Sequence, residues 1–275
     1  MQKKWGQATF SSFSFLMCPP DYYEIAYEIN PWMSIKRKVD SKLAKKQWED
    51  FYELLTQKLE VKVELLKPVP KLPDLVFTAN GGLVYKNTFV RANFRHKERQ
   101  PEARFFEDWF KKKGWKVKPV PPVHRFEGEG DALFLGKELY TGYHFRSDIE
   151  AHEFVAKTLG VSHYALELAD KRFYHLDTCF APLDEKTALV YLPAFEPYSR
   201  EIIRETTPDL LEVPQEEALR FACNAVVVGK DVILNRGCPQ TEGALRLRGF
   251  KPHPLDFSEF IKAGGSAKCL VLRLP

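Results

Sequence analysis

No stretch of this sequence approaches the roughly 18 consecutive apolar residues needed to span a bilayer, so no membrane partner is expected. Its first residues, Met1-Gln2-Lys3-Lys4-Trp5, carry neither the apolar core nor the small-residue cleavage site of a secretory leader, and the expected location is the cytoplasm. The five cysteines, Cys18, Cys179, Cys223, Cys238 and Cys269, contain no Cys-x-x-Cys pair. That removes the zinc-knuckle and thioredoxin-type readings, and free thiols fit a reducing compartment. No Gly-x-Gly-x-x-Gly is present, so a dinucleotide site is not expected. Arginines are not concentrated with aromatics as they are in a nucleic-acid groove. The clusters Lys36-Arg37-Lys38, Lys45-Lys46 and Lys111-Lys112-Lys113 read as solvated faces. The net charge of +4 suggests at most a small anionic group in a ligand, and nucleic acid is not an expected partner. No Gly/Ser/Pro-rich linker divides the chain, and residues 119–122 read as a stiff proline loop, so the expectation is one domain over residues 1–275.

Helical spacing is clearest over residues 41–59, where Leu43, Trp48, Phe51, Leu55 and Leu59 fall three or four apart. Further helices are expected at 101–113, 147–159, 197–206, 240–248 and 256–263, with Ser41, Pro101 and Ser147 as start signals and Gly114 and Gly160 as stops. Short apolar strands follow near 61–65, 115–119, 162–167, 209–213 and 250–254 or 268–273. Paired β segments are expected at 75–78 with 82–86, 132–135 with 138–141, and 223–228 with 231–234. A ββαβ-like unit thus recurs about five times at roughly 50-residue spacing, which points to a radial α/β architecture rather than a doubly wound sheet.

Three segments could carry chemistry. Cys269 follows Gly264-Gly265-Ser266 and precedes a short apolar run, a placement open to a reactive thiolate; taken alone, a buried structural thiol is the plainer reading. His175 and Asp177 fall on one side of an extended chain, and a histidine beside a carboxylate suits proton transfer near neutrality. Glu127, Glu129 and Asp131 alternate with glycines, which is costly unless they face a cation. Calcium needs more oxygen ligands at wider spacing and zinc wants nitrogen or sulfur, so a cationic organic ligand fits better than a metal. Arg146, just before a helix start, could hold a carboxylate in bidentate fashion or sit in a surface ion pair. Asn80, before two glycines, reads by itself as a turn residue.

Taken in order, these segments resemble the guanidino-group modifying superfamily: arginine deiminases, dimethylarginine dimethylaminohydrolases and amidinotransferases. His175-Leu176-Asp177-Thr178 and Gly264-Gly265-Ser266-Ala267-Lys268-Cys269 are the most specific matches, and the pattern runs from Met17-Cys18-Pro19-Pro20 to the last strand. The resemblance implies the pentein fold, a five-bladed α/β propeller, with a Cys–His–acid site at its centre and no metal or organic cofactor. It makes Cys269 the nucleophile, with nearby positive charge favouring its thiolate, and His175 the general acid/base. Glu127 then orients His175, while Asp131 and Asp177 grip the guanidinium. Arg146 binds the α-carboxylate with help from Arg91, and Asn30 and Asn80 also belong to the substrate site. Deiminases have Glu-Gly-Gly-Asp where this chain has an extra residue between Glu127 and Asp131, so Glu129 competes for the role of His175 partner.

Deiminases also have Phe-Thr-Arg-Asp where this chain reads Phe77-Thr78-Ala79-Asn80. With Ile29-Asn30-Pro31-Trp32-Met33, this is most similar to arginine dihydrolases of the cyanobacterial type, which convert arginine to ornithine, ammonia and carbon dioxide. A carboxylate only accepts hydrogen bonds, whereas an asparagine can also donate to the oxygen of a neutral ureido group. A buried mismatch at that oxygen would cost about 1–3 kcal/mol, enough to bias release against a second round of hydrolysis. The resemblance leaves two rivals: a one-step hydrolase, arginine deiminase or dimethylargininase, that stops at citrulline, and a catalytically silent binding protein. The expected partner is a small guanidino or ureido compound, and a homo-oligomer is compatible with it.

Overall fold

A computed structural model of the chain describes residues 13–275; Met1–Trp5, on which the leader reading rests, lie outside the described residues. The strands are short and fall into five three-stranded sheets. In four of them the chain makes an antiparallel hairpin, crosses through a helix and returns parallel to the hairpin's second strand. A parallel return requires such a crossover, whereas a hairpin needs only a tight turn. The first of these sheets holds Gly82–Tyr85, Thr88–Arg91 and Lys116–Pro119, with Glu102–Lys112 as the crossover helix. The second holds Ala132–Leu135, Glu138–Tyr143 and His163–Glu167, with Ile149–Leu159. The third holds Phe180–Pro182, Thr187–Val190 and Asp209–Glu212, with Pro197–Thr206. The fourth holds Val226–Val228, Asp231–Asn235 and Lys251–Leu255, with Pro239–Leu247. The fifth is built from both ends of the chain. Leu272–Leu274 pairs antiparallel with Ser14–Met17, which runs parallel to Lys62–Leu65 after the helix Ser41–Glu53. This is the five-bladed α/β propeller, the pentein fold.

Amphipathic helices seal the outside of the blades. The first buries Ala44, Trp48 and Phe51, and its start is capped by Asp40, whose side chain accepts from the amides of Lys42 and Leu43. In the next blade Phe89 and Phe110 stack with ring centroids 3.7 Å apart. Ser147 does not cap the third helix, a position taken by Asp148; its hydroxyl is used in the interior instead. Gly160 ends that helix in the left-handed conformation (φ 67°).

Two local expectations fail. Residues 75–78 are not a strand but part of two 3-10 turns, Pro73–Val76 and Thr78–Gly81, and the hairpin partner of Gly82–Tyr85 is Thr88–Arg91. The fixed φ of Pro73 starts a turn, and Leu75, Val76 and Phe77 are all buried rather than alternating. The run 268–273 likewise begins as a 3-10 turn, Lys268–Leu270, and only Leu272–Leu274 is extended.

Those turns set the site. One precedes each inner strand: Thr78–Gly81, Gly128–Gly130, Leu176–Thr178, a turn at residues 221–224, and Lys268–Leu270. The first packs against the second and the fifth, and the second against the third. Asn224 closes the circle through hydrogen bonds to the third and fifth. Among the described residues no helix is long and apolar enough to cross a membrane.

Candidate active site

On the turn side of the propeller lies a narrow cavity lined by residues that include Asn30, Asp74, Asn80, Arg99, Arg146, Tyr174 and Cys269. Cys269 enters it from the 3-10 turn before the last strand. The preceding glycines are tightly packed rather than free. A Cβ on Gly264 (φ +85°) would lie 2.9 Å from the Tyr174 hydroxyl and 3.0 Å from Asn30 Oδ1, and one on Gly265 would lie 2.6 Å from the Phe77 ring. The glycines let the turn approach these side chains.

The sulfur of Cys269 lies 3.4 Å from Asp177 Oδ2 and receives a hydrogen bond from Asn224 Nδ2 at 3.2 Å. Burial and then the Asp177 carboxylate push this thiol well above its usual range, so it rests protonated. Among the described residues no cation is paired directly with the sulfur, although Arg99 and Arg146 line the same cavity. The adjacent ammonium of Lys268 is spent on Glu129, 2.6 Å away. Burial raises Asp177 to about 7 against the pull of Lys268, Cys269 and Asn224, and its Oδ1 has no partner among the described residues.

His175 faces a second carboxylate. Its Nε2 is 2.9 Å from Glu127 Oε2, and the same oxygen accepts from Arg146 Nη1 at 2.9 Å. Burial works against the Glu127 charge, but Arg146 and His175 outweigh it and hold this carboxyl well below the ordinary range. With the charge already answered by Arg146, burial drives His175 down to about 4 despite the Glu127 hydrogen bond. The imidazole is therefore neutral near pH 7. Donation from Nε2 to Glu127 leaves the lone pair on Nδ1, beside Gly130. No hydrogen bond joins His175 to Cys269 among the described residues, so proton traffic between them must pass through a bound ligand. Glu129 turns away from His175 to Lys268 and the amide of Arg273.

Other expected residues sit elsewhere. Asp131 does not line the cavity; it accepts from the Ser147 hydroxyl at 2.6 Å and the Leu176 amide at 3.1 Å, with His175 Nε2 3.9 Å away. It buttresses the histidine, with each of its oxygens already engaged by one of these donors. Arg91 lies outside the cavity in a 2.8 Å ion pair with Glu107. Asn30 lines the cavity, but its polar atoms are committed to the amides of Trp32 and Met33 and to the carbonyl of Ala263. It staples the 29–33 loop over the glycine turn. Arg146 is buried against the Tyr174 ring at 4.5 Å and donates to Glu127 and the Ile29 carbonyl, keeping three of its five N–H groups in excess.

Two residues of this cavity were not singled out from sequence. Arg99 forks onto Glu102 (3.0 and 2.8 Å) and donates to Asn80 Oδ1 at 2.8 Å and the Asp74 carbonyl at 3.2 Å. Its sequence context, Arg95-His96-Lys97-Glu98-Arg99-Gln100, reads as a solvated charge run. Asp74 accepts from the Tyr27 hydroxyl with Oδ2, while its Oδ1 is buried without a partner. The only signal for it was its place six residues before Asn80 in the segment Pro73–Gly82. Because arginine only donates, the Asn80 oxygen must face Arg99, and its Nδ2 is left without a partner. The cavity lining thus offers one unpaired carboxylate oxygen, on Asp74, with an amide donor, two guanidinium groups and a thiol; the unpaired oxygen of Asp177 lies behind the thiol, and the neutral His175 imidazole lies behind Arg146 and Glu127. That set suits an elongated cationic amino acid. Among the described residues no cluster of three or more His, Cys, Asp or Glu could hold a metal.

Residues 27–274 match the family described as N,N dimethylarginine dimethylhydrolase, eukaryotic. The chain is 44% identical over 264 residues to the bifunctional arginine dihydrolase/ornithine cyclodeaminase ArgZ of Synechocystis, covering 94% of this chain but only 37% of that protein. It is 40% identical to the N(G),N(G)-dimethylarginine dimethylaminohydrolase of Mycobacterium tuberculosis, over 94% of this chain and 85% of the relative. The crystal structure of the substrate-bound N-terminal domain of ArgZ, a cyanobacterial arginine dihydrolase, superposes with a TM-score of 0.92 at 42% identity, covering 95% of this chain and 98% of that one.

Proposed function

The chain belongs to the N,N dimethylarginine dimethylhydrolase family, and from that premise we propose that it hydrolyses arginine-like guanidino compounds through a covalent thiouronium, converting arginine to ornithine, ammonia and carbon dioxide. The observation that carries the second half of this reading is the unpaired Nδ2 of Asn80. A carboxylate there would serve a guanidinium only, whereas an N–H donor serves the oxygen of a bound ureido group.

The substrate guanidinium lies between Asp177 and the Glu127–His175 pair, its α-amino group meets Asp74, and Arg99 and Arg146 supply charge for the α-carboxylate. Cys269 adds to the guanidino carbon and its proton passes to neutral His175, whose imidazolium is held by Glu127. That imidazolium returns the proton to the departing amine as the C–N bond breaks. Neutral again, His175 takes a proton from the water that attacks the thiouronium, giving citrulline and the free thiol. In a second cycle the ureido carbon is attacked and a second ammonia leaves. Water then releases a carbamate, which breaks down to ornithine and carbon dioxide. The reaction as written uses no metal or organic cofactor and takes place within one domain. A reducing, cytoplasmic setting suits its thiol, and a homo-oligomer is compatible with the reading.

The one-step alternative is favoured by the family as a whole and by the mycobacterial relative's name. Incubation with arginine, dimethylarginine and citrulline, with every product quantified, separates the two. Ornithine from both arginine and citrulline supports the dihydrolase; dimethylamine and citrulline from dimethylarginine, with citrulline itself untouched, overturn it. Cys269→Ser should abolish every conversion.

A further inference from the structure

Asn224 lies at the inner end of the fourth blade, two residues before Val226–Val228, and is fully buried. Its Oδ1 accepts from three amides of the nucleophile turn: Ser266 at 3.1 Å, Lys268 at 3.0 Å and Cys269 at 3.3 Å. Its Nδ2 spends one hydrogen on the Asp177 carbonyl at 3.0 Å and the other on the Cys269 sulfur at 3.2 Å. Three N–H donors on one side of the carboxamide demand its oxygen there. The nitrogen must then face the sulfur.

We propose that Asn224 is the positioning residue of the nucleophile: its oxygen fixes the turn that carries Cys269, and its nitrogen stabilises the sulfur as a thiolate. The inference rests on the hydrolase reading insofar as it concerns the same thiol. Its physical basis is a contest at the sulfur. Burial and Asp177 both favour the neutral thiol, whereas hydrogen bonds donated by the Ser266 amide and then by Asn224 favour the thiolate. Asn224 is the one side chain among the described residues that donates to this atom. Its second N–H holds the backbone of Asp177, so a single amide also sets the spacing between the thiol and the carboxylate that opposes it. No aliphatic or shorter polar side chain could fill both duties. Three buried amides need one acceptor, and on the far side two groups need donors.

The test is the pH dependence of Cys269 alkylation by iodoacetamide, read by peptide mass spectrometry in the full chain. Asn224→Asp keeps an acceptor for the three amides and places an oxygen where the donor was. It should retain the wild-type circular dichroism spectrum while the alkylation midpoint moves up by a unit or more. Alkylation at pH 7 should then slow about tenfold or more, with kcat falling and KM nearly unchanged. An unmoved midpoint in the folded variant overturns the proposal; because a new carboxylate by itself raises a neighbouring thiol, a raised midpoint counts for the proposal only when the wild-type Asn224 amide also titrates with that thiol. Should Asn224→Asp fail to fold, the wild type decides. The side-chain amide resonance of Asn224 should titrate with the alkylation midpoint and lose that titration in Cys269→Ser. An amide signal indifferent to the thiol overturns the inference. Alkylation needs no substrate, so an Asn224-dependent midpoint in a protein that turns over no guanidino or ureido compound would sink the functional reading and leave this one standing.

Discussion

Asn80 turns its side-chain oxygen to Arg99 Nη1 at 2.8 Å, and that contact dictates which end of the amide the ligand meets. Arg99 is itself held by the fork onto Glu102, so the asparagine cannot flip without leaving a buried guanidinium short of an acceptor.

Asn80→Asp should keep the contact to Arg99 and present an oxygen in place of the donor. Citrulline would then accumulate from arginine, and ornithine formation should fall about tenfold or more, in line with about 1–3 kcal/mol for a mismatched buried group. Product quantitation over time checks this. Ornithine made at the wild-type rate without citrulline would mean that Asn80 does not govern the second cycle.

Asp177→Asn should be inactive yet relatively more stable in alkaline solution. The folded carboxyl is raised from 3.8 to about 7 by burial, so the native state binds its proton more tightly than the unfolded chain. Stability from that proton is complete below the unfolded value and is lost as pH rises through about 7. The neutral amide escapes that loss. Thermal melts at pH 5 and pH 8 should show the variant gaining on the wild type at the higher pH, and an equal difference at both would refute the assignment.

The two arginines, 91 and 99, should separate cleanly. Arg91→Ala removes a half-buried pair with Glu107 and should change stability by less than about 1 kcal/mol, with kcat/KM within about twofold. Arg99→Lys brings three N–H donors where Arg99 makes four hydrogen bonds to Glu102, Asn80 and Asp74, and it loses the planar fork onto Glu102. It should cost about 1–3 kcal/mol in chemical denaturation and raise KM about tenfold or more.

Gly130→Ala would place a Cβ 2.5 Å from Asn80 Nδ2 and 3.1 Å from His175 Nδ1. Both groups must give way, and a displacement near 1 Å should lower kcat/KM about a hundredfold while the chain still folds. Kinetics beside a thermal melt would show whether activity falls without collapse of the fold.

Much of the architecture was legible one-dimensionally. Helix positions follow from three- and four-residue spacing, as with Trp48, Phe51 and Leu55, because each helix has one face on its own blade. The near fivefold recurrence of the unit likewise survives in spacing alone. The two short strands of the third blade, Phe180–Pro182 and Thr187–Val190, were missed because they are almost wholly buried and so do not alternate. The stretch before Asn80 misled for the same reason.

What the sequence determined by itself was the set of reacting groups: a thiol after a double glycine, a histidine two residues from an aspartate, and acids between glycines. Local motifs carry such information because each needs particular neighbours in the chain. The tertiary structure alone decided which of them share a cavity. It chose Glu127 over Glu129 as the partner of His175, put Arg99 where Arg91 was expected, and turned Asp131 into a buttress. It also brought Asn224 to Cys269 from 45 residues away in sequence. The reason is radial closure. Each blade contributes one turn to a common axis, so residues roughly a blade apart become neighbours, and no local pattern records which side chain of a turn points inward.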